Sequence, residues 1–119
     1  MTSNIETICA LATAMGQSGI GVVRVSGPLS KIISKKILRI ELKSRSAFYG
    51  AFYDNSENTI DKGVAIYFPG PNSYTGEDVV EFQGHGGMSV MRKILETILV
   101  YGARLSEPGE FSKRAFLNG

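Results

Sequence analysis

The feature that most constrains this 119-residue chain is residues 69–87, a turn-rich stretch that ends in a cluster of glycines. It reads PGPNSYTGEDVVEFQGHGG: Pro, Gly and Asn are dense at first, and an apolar segment carrying a carboxylate follows. Such a density of turn residues holds a long connection in one shape. The stretch therefore predicts a shaped loop that leads into a strand and then into a glycine bend.

Length and composition are those of one ordinary globular domain. At 119 residues the chain can bury roughly two thirds of its unfolded surface, and its 43% hydrophobic and 20% charged residues suit a soluble fold. Apolar runs are too short to span a bilayer, and the polar residues after Met1 form no secretion or import signal. The single Cys9 fits a reducing compartment. We therefore expect a soluble, cytoplasmic protein.

Strand patterns and helical patterns alternate along the sequence, which predicts an α+β fold with a mixed sheet of five or six strands and two to three helices. The predicted strands are 5–10, 20–26, 46–54, 60–68, 78–83 and 103–106. Three helices are predicted. The first begins at Gly27-Pro28, with Ser26 or Gly27 as its cap, and the second begins after Gly86-Gly87. The third extends from Glu110 to Leu117.

Arg24 is the first candidate binding residue. Period-two alternation places it on the same strand face as Ile20 and Val22. A guanidinium in that position can grip a carboxylate or an oxygen-rich heterocycle. The alternative is that Arg24 lies on an edge strand, where its methylene groups pack on the sheet and its guanidinium reaches water.

Glu81 is the second candidate, on a strand face with Val79 and Gln83 directly after the shaped loop. A carboxylate matches two parallel donors, such as the ring N–H and the amino group of a pterin, so Glu81 is suited to a folate. A solvent-facing residue or a salt bridge to a neighbouring strand is the alternative.

Other chemistry-bearing residues favour structural roles. His85 is best explained as a turn residue whose ring satisfies nearby backbone groups, although it could donate to a ligand. Cys9 is predicted to be a buried core thiol. The aromatic residues of 48–53 are predicted to pack within strands, because no basic residue is interleaved with them.

Several familiar sites are missing from the sequence. No G-x-x-x-x-G-K-[ST] motif occurs, so GTP binding through a P-loop is not expected. One histidine and one cysteine cannot build a zinc site, and no acyl-transfer nucleophile motif is present. The sequence therefore predicts no catalytic residue and no metal site in these 119 residues.

Basic residues are concentrated in one third of the chain, although the formal net charge is only +2. A solvated helix face with the loop after it is the favoured interpretation, and an RNA-binding surface is the alternative. The cluster consists of Lys31, Lys35, Lys36, Arg39, Lys43 and Arg45.

Three motifs, in this order along the chain, resemble the N-terminal domain of the MnmE (TrmE) tRNA-modification GTPase family. They are GIGVVRVSGP at 19–28, the stretch 69–87, and RLSEPGEFSKRAFLNG at 104–119. The resemblance begins near Ile5 and continues to the last residue. Because the chain ends directly after a helical segment, we expect residues 1–119 to be one domain of a longer polypeptide.

The resemblance implies a fold similar to the folate-binding domain of glycine-cleavage T proteins, binding of formyl-tetrahydrofolate, and a homodimer. Arg24 and Glu81 match the folate-contacting positions of the family. A further contacting lysine normally follows Leu-Asn-Gly, directly after the last residue of this chain. The sequence departs from the family pattern at residues 14–19, where prolines and an arginine are common, and at Met88, where proline is common.

For the full-length protein, the resemblance implies a GTPase that uses GTP, Mg²⁺ and K⁺ outside this domain. With the flavoprotein MnmG it would modify the wobble uridine of tRNA, the folate supplying a one-carbon unit. Two alternatives for the domain are a dimerisation scaffold that does not bind folate and an RNA-binding module.

Overall fold

The computed structural model describes residues 5–13, 19–85 and 87–119. Across these residues it has the predicted α+β fold, with six strands in one mixed sheet and three helices. The elements in chain order are β1 (Ile8–Thr13), β2 (Gly21–Ser26), α1 (Ser30–Leu38), β3 (Phe48–Tyr53), β4 (Thr59–Phe68), β5 (Val79–Gly84), α2 (Met88–Val100), β6 (Arg104–Leu105) and α3 (Glu110–Leu117).

The strand order in the sheet is β3-β4-β5-β2-β1-β6. All neighbouring pairs are antiparallel except β1 and β6, which are parallel. The predicted hairpin of β3 and β4 is present. Strands β5 and β2 form the middle of the sheet although 52 residues separate Ser26 from Val79. This central pair carries both candidate binding residues.

Helices α1 and α2 cover one face of the sheet and form the core with it. Val23, Phe82 and Ala65 lie in register across three strands and are fully buried on this face. Phe52 packs edge-to-face on Phe82 with 5.5 Å between ring centroids. The buried helix residues of the core are Ile33, Ile37, Leu38, Met91, Ile94 and Ile98. Their spacing of three and four residues is the helical period that the sequence shows.

Helix α1 begins later than predicted. Its first residue is Ser30 and its N-cap is Leu29, so neither Ser26 nor Gly27 caps it and Pro28 is not its first residue. Gly27 has a φ of 134°, and the Ser30 N–H donates to its carbonyl in a turn that precedes the helix. The first strand is also shifted from the prediction, from 5–10 to Ile8–Thr13.

The opposite face of the sheet is only partly covered. The loop before β5 lies over one end, where Ile8, Ser26 and Val79 are buried. Farther along, Tyr49 is 66% exposed and Ile66 is half-buried. Separately, no helix among the described residues combines the length and the apolar character needed to span a bilayer.

Candidate functional site

Arg24 and Glu81 lie opposite each other on β2 and β5, on the face that α1 and α2 leave free. Arg24 Nε donates to Glu81 Oε2 over 2.9 Å, and Nη2 lies 2.8 Å from the same oxygen. The edge-strand alternative for Arg24 is wrong, because β2 lies between β5 and β1. For Glu81, the salt bridge to a neighbouring strand is what the structure contains. The two candidates therefore form one half-buried ion pair.

A cavity of about 420 Å³ opens beside this ion pair. Arg24 and Tyr74 line it, but Glu81 does not and is connected to it through the ion pair with Arg24. The cavity is thus bounded by α3 and the segment before it rather than by Glu81. The other lining residues are Ala10, Leu11, Ala12 and residues 106–112.

Tyr74 connects three parts of the cavity wall. Its ring centroid lies 5.4 Å from Arg24 Cζ, and its hydroxyl lies 3.2 Å from Ser112 Oγ on α3. The sequence did not single out Tyr74 or the 106–112 segment as binding residues. What indicated a functional role for Tyr74 and residues 106–112 in the sequence was that they lie within two of the three motifs, 69–87 and 104–119.

Hydrogen bonds hold the loop before β5 in place. Thr75 Oγ1 and Ser26 Oγ are both buried and lie 2.6 Å apart. The Glu77 N–H donates to Thr75 Oγ1 over 3.2 Å, and the Gly70 N–H donates to Asp78 Oδ1 over 2.9 Å. The loop therefore presents Tyr74 to the cavity from a position fixed on β2 and β5.

Four charged side chains, Glu77, Arg114, Glu110 and Arg104, tie α3 to the sheet and are here called the clamp. Arg114 Nη1 lies 3.0 Å from Glu77 Oε1, and Arg114 Nη2 lies 3.3 Å from Glu110 Oε2. Arg104 Nη2 lies 2.6 Å from the same Glu110 oxygen. Glu77 also accepts a hydrogen bond from Ser26 Oγ over 2.7 Å. No residue of α3 is fully buried, and only Phe111 and Ala115 among its apolar residues are half-buried, so these polar contacts contribute much of its attachment.

The clamp changes the acidity of Glu110. Hydrogen bonds from Arg104 lower the pKa of the Glu110 carboxyl from 4.5 to about 2, against the opposing effect of desolvation. The same hydrogen bonds raise the pKa of Arg104 above its ordinary value. Glu110 is therefore ionised at any pH near neutral.

The low pKa of Glu110 predicts pH-dependent stability. In the unfolded chain the carboxyl protonates below about 4.5, so its contribution is complete above that pH and is lost as the pH falls toward 2. We expect wild type to exceed Glu110→Gln in unfolding free energy near neutral pH, and the difference to shrink between pH 4.5 and pH 2. Urea unfolding across this range measures it, and a constant difference would contradict the assignment.

His85 lies away from the cavity, at the end of β5 opposite the loop. Its backbone N–H donates to Asp61 Oδ2 over 2.7 Å, and its ring Nδ1 lies 3.8 Å from the same oxygen. The ring is 59% exposed, and its Nδ1 faces the carboxylate of Asp61. His85 does not belong to the candidate site.

Cys9 is a buried free thiol of the core, as predicted. Burial raises its pKa to about 11, which disfavours the thiolate needed for nucleophilic or metal chemistry. Within 5–13, 19–85 and 87–119, no group of three or more His, Cys, Asp or Glu residues is arranged to hold a metal ion.

The aromatic residues of β3 differ from the prediction in one respect. Phe52 is buried in the core, as expected for strand packing. Tyr53, however, has the guanidinium of Arg39 over its ring, with Cζ 4.1 Å from the centroid. The fold thus brings a basic residue of the α1 region onto an aromatic residue that lies 14 positions away.

Comparison with known protein families identifies the chain. The family model described as "GTP-binding protein TrmE N-terminus" matches residues 7–119. The chain belongs to this TrmE N-terminal family. The three motifs that carry the resemblance converge on the cavity: β2 supplies Arg24, the loop supplies Tyr74, and the segment before and within α3 supplies residues 106–112.

Curated relatives of the TrmE N-terminal chain carry the name tRNA modification GTPase MnmE. Those from Ruthia magnifica subsp. Calyptogena magnifica and Vesicomyosocius okutanii subsp. Calyptogena okutanii are each 60% identical over 119 residues, which is 100% of this chain. One from Pseudomonas fluorescens is 54% identical over 118 residues, 99% of the chain. The chain spans only 26–27% of the length of these relatives.

The sequence departs from the expected TrmE family pattern at residues 14–19 and at Met88. Residues 14–18 lie outside the described part of the chain, while Gly19 has a φ of 71°. Met88 is the first residue of α2 and is 51% exposed. The proline common at this position would fit the first residue of a helix, so the substitution leaves α2 intact.

Proposed function

We propose that this chain is the reduced-folate-binding and dimerisation module of a GTPase that takes part in tRNA modification. The observation that carries the proposal is the convergence of three family motifs on one cavity beside the Arg24–Glu81 ion pair. A volume of about 420 Å³ is within the range of small-molecule sites. The names of the relatives supply the tRNA-modification context.

The residues of the site fit a folate. Arg24 offers a fixed cation at the cavity wall, and Tyr74 offers a ring face for a flat heterocycle. Glu81 uses Oε2 for both of its contacts with Arg24, whereas Oε1 takes part in neither. We assign Glu81 to the paired donors of the pterin, with Oε1 accepting from one donor and Oε2, which is shared with Arg24, accepting from the other. When bound, formyl-tetrahydrofolate would supply a one-carbon unit to the full-length enzyme.

GTP, Mg²⁺ and K⁺ are assigned to parts of the protein outside residues 1–119, because these residues contain no P-loop motif. Cooperation with the flavoprotein MnmG and modification of the wobble uridine are likewise proposed for the full-length protein. The role of this chain is to hold the folate and to join two subunits.

Dimerisation is proposed through the partly covered face of the sheet. Tyr49 and Ile20 are exposed there, and Val22, Val64 and Ile66 are half-buried. A single-domain chain gains free energy by burying such apolar surface against a second copy. The contact would be isologous, with the same surface on both subunits.

The folate assignment predicts a specific loss of binding. In Glu81→Ala the donor edge of the pterin would lose its acceptor, at a cost of about 1–3 kcal/mol, or a Kd roughly 5- to 150-fold higher. Glu96→Ala, which removes an exposed carboxylate of α2 on the other side of the sheet, should leave the Kd unchanged. Calorimetry with formyl-tetrahydrofolate measures both. Equal affinity for wild type and Glu81→Ala would refute the assignment of Glu81, and no binding by wild type would favour the scaffold alternative.

The dimer assignment predicts a concentration-dependent sedimentation coefficient. Tyr49→Lys should weaken the dimer, whereas Val100→Lys should not, because Val100 is 60% exposed on α2 at the other side of the sheet. If the partner helps to complete the cavity, folate should also raise the apparent dimer affinity by linkage. A monomer at all concentrations would contradict self-association, and a dimer indifferent to folate would separate assembly from ligand binding.

A further inference from the structure

The charge of this chain is strongly polarised. Six basic residues and one acidic residue lie between positions 30 and 46, a local charge of +5, whereas the remaining seven basic and ten acidic residues give −3. All six basic side chains are exposed. They are here called the basic ridge and are Lys31, Lys35, Lys36, Arg39, Lys43 and Arg45.

Aromatic rings hold four of these cations in place. Lys36 Nζ lies 5.0 Å from the ring centroid of Tyr101, in addition to the Arg39–Tyr53 contact of 4.1 Å. At the other end of the ridge, Lys31 Nζ lies 5.9 Å from the Tyr67 centroid and Arg45 Cζ lies 5.7 Å from the Phe68 centroid. Side chains ordered in this way lose less conformational entropy when they bind an anion.

Few carboxylates neutralise the ridge. In the described part of the chain, its ion pairs are Lys35 with Glu41 at 3.5 Å and Arg39 with Glu57 at 3.3 Å. Both pairs join exposed side chains, so solvent and salt weaken them. Lys31, Lys36, Lys43 and Arg45 form no ion pair within the described residues. The ridge therefore presents an excess of ordered positive charge.

The α1 part of the ridge lies on a different side of the molecule from the proposed folate site, whereas Arg45 donates a hydrogen bond to the main-chain oxygen of Asn72 in the loop before β5. Helix α1 packs on the sheet face opposite Arg24 and Glu81. A partner bound along α1 would leave the cavity and the proposed dimer face free. In a dimer joined by that face, the two ridges would both point outward.

We propose that the basic ridge binds the phosphate backbone of RNA. A membrane surface fits less well, because Ile33 and Ile37 of α1 are fully buried in the core, and among the cations only Ile32 and Ile40 are large apolar residues left exposed for insertion. A segment with a local charge of +5 and few exposed apolar side chains suits a polyanion. The proposal relies on the proposed function only for the choice of tRNA as the RNA, and it does not require folate binding.

The experiment measures binding of fluorescently labelled bulk tRNA to this chain by anisotropy. If about four phosphates are neutralised, the affinity should fall roughly 50- to 150-fold between about 50 and 200 mM KCl. The double variant Lys36→Glu/Arg39→Glu should bind at least about tenfold more weakly at the lower salt concentration, with a shallower salt dependence.

A matched control keeps the test specific. Lys62→Glu/Arg92→Glu changes the net charge by the same amount at exposed positions outside the ridge, and it should bind tRNA within about twofold of wild type. Circular dichroism and folate calorimetry check that both variants are folded, so a failed folate site and a failed ridge remain distinguishable. Equal losses in the two variants, no tRNA binding by wild type, or stronger binding to anionic lipid vesicles than to tRNA would each overturn the proposal.

Discussion

Replacing Gly63 with alanine is expected to lower the unfolding free energy by about 3–5 kcal/mol or to prevent folding. A Cβ at this position would lie 2.9 Å from Phe52 Cζ and closer still to the main-chain oxygen of Gln83. That oxygen belongs to the adjacent strand β5 and cannot move without opening the centre of the sheet. The Phe52 ring cannot yield easily either, because it packs edge-to-face against Phe82.

Urea unfolding of Gly63→Ala and Lys62→Ala tests this expectation. Lys62 is the exposed neighbour of Gly63 on β4, so its truncation should change the unfolding free energy by no more than about 0.5 kcal/mol. The folate affinity of any folded fraction would show whether the damage reaches Glu81, which pairs with β4 through Ile66. A Gly63→Ala protein within about 1 kcal/mol of wild type would mean that β4 and β5 can separate locally at little cost.

Local sequence patterns predicted most of the fold because they record which side of each element is buried. The alternation in 20–26 became β2, Gly21–Ser26, with Val23 and Val25 in the core. The segment from Glu110 to Leu117 became α3 with the same bounds. In both cases the information needed lies within a few neighbouring residues.

The start of α1 was predicted wrongly because a distant residue determines it. A Cβ at Gly27 would lie 2.7 Å from the Cα of Thr7, the residue before β1, so the chain turns closely against Thr7 here. Thr7 Oγ1 then accepts a hydrogen bond from the Leu29 N–H over 2.8 Å. The Gly-Pro pair looked like a helix start, but this contact across 22 positions makes it a turn before the helix.

The site was predictable in part for the same physical reason. Alternation gave the correct strand faces of Arg24 and Glu81, but it could not show that they pair across a separation of 57 residues. The contacts of Arg114 with Glu77, which are 37 residues apart, could not be predicted from the sequence either. Both depend on the register of non-consecutive elements, which a single sequence does not specify.

Replacing Arg114 with alanine is expected to release α3 from the sheet and to lower the unfolding free energy by about 2–4 kcal/mol. Arg114 is 13% exposed and lies between Glu77 and Glu110, which are each 14% exposed. Its removal leaves Glu77, which also binds Ser26, without its cation. Glu110 still forms its ion pair with Arg104, so the loss of stability should be greatest where α3 contacts the loop before β5.

The release of α3 can be separated from general destabilisation. Because residues 106–112 line the cavity, Arg114→Ala should speed amide exchange in α3 and weaken folate binding while the exchange of β2 and β5 changes less. Lys113→Ala removes the exposed neighbouring cation, which forms no ion pair in the described part of the chain, and should alter neither measurement. The apolar residues of α3 are at most half-buried, namely Phe111 and Ala115, so they offer little attachment in place of the clamp. Unchanged exchange across α3 in Arg114→Ala would therefore show that the clamp does not hold the helix in place.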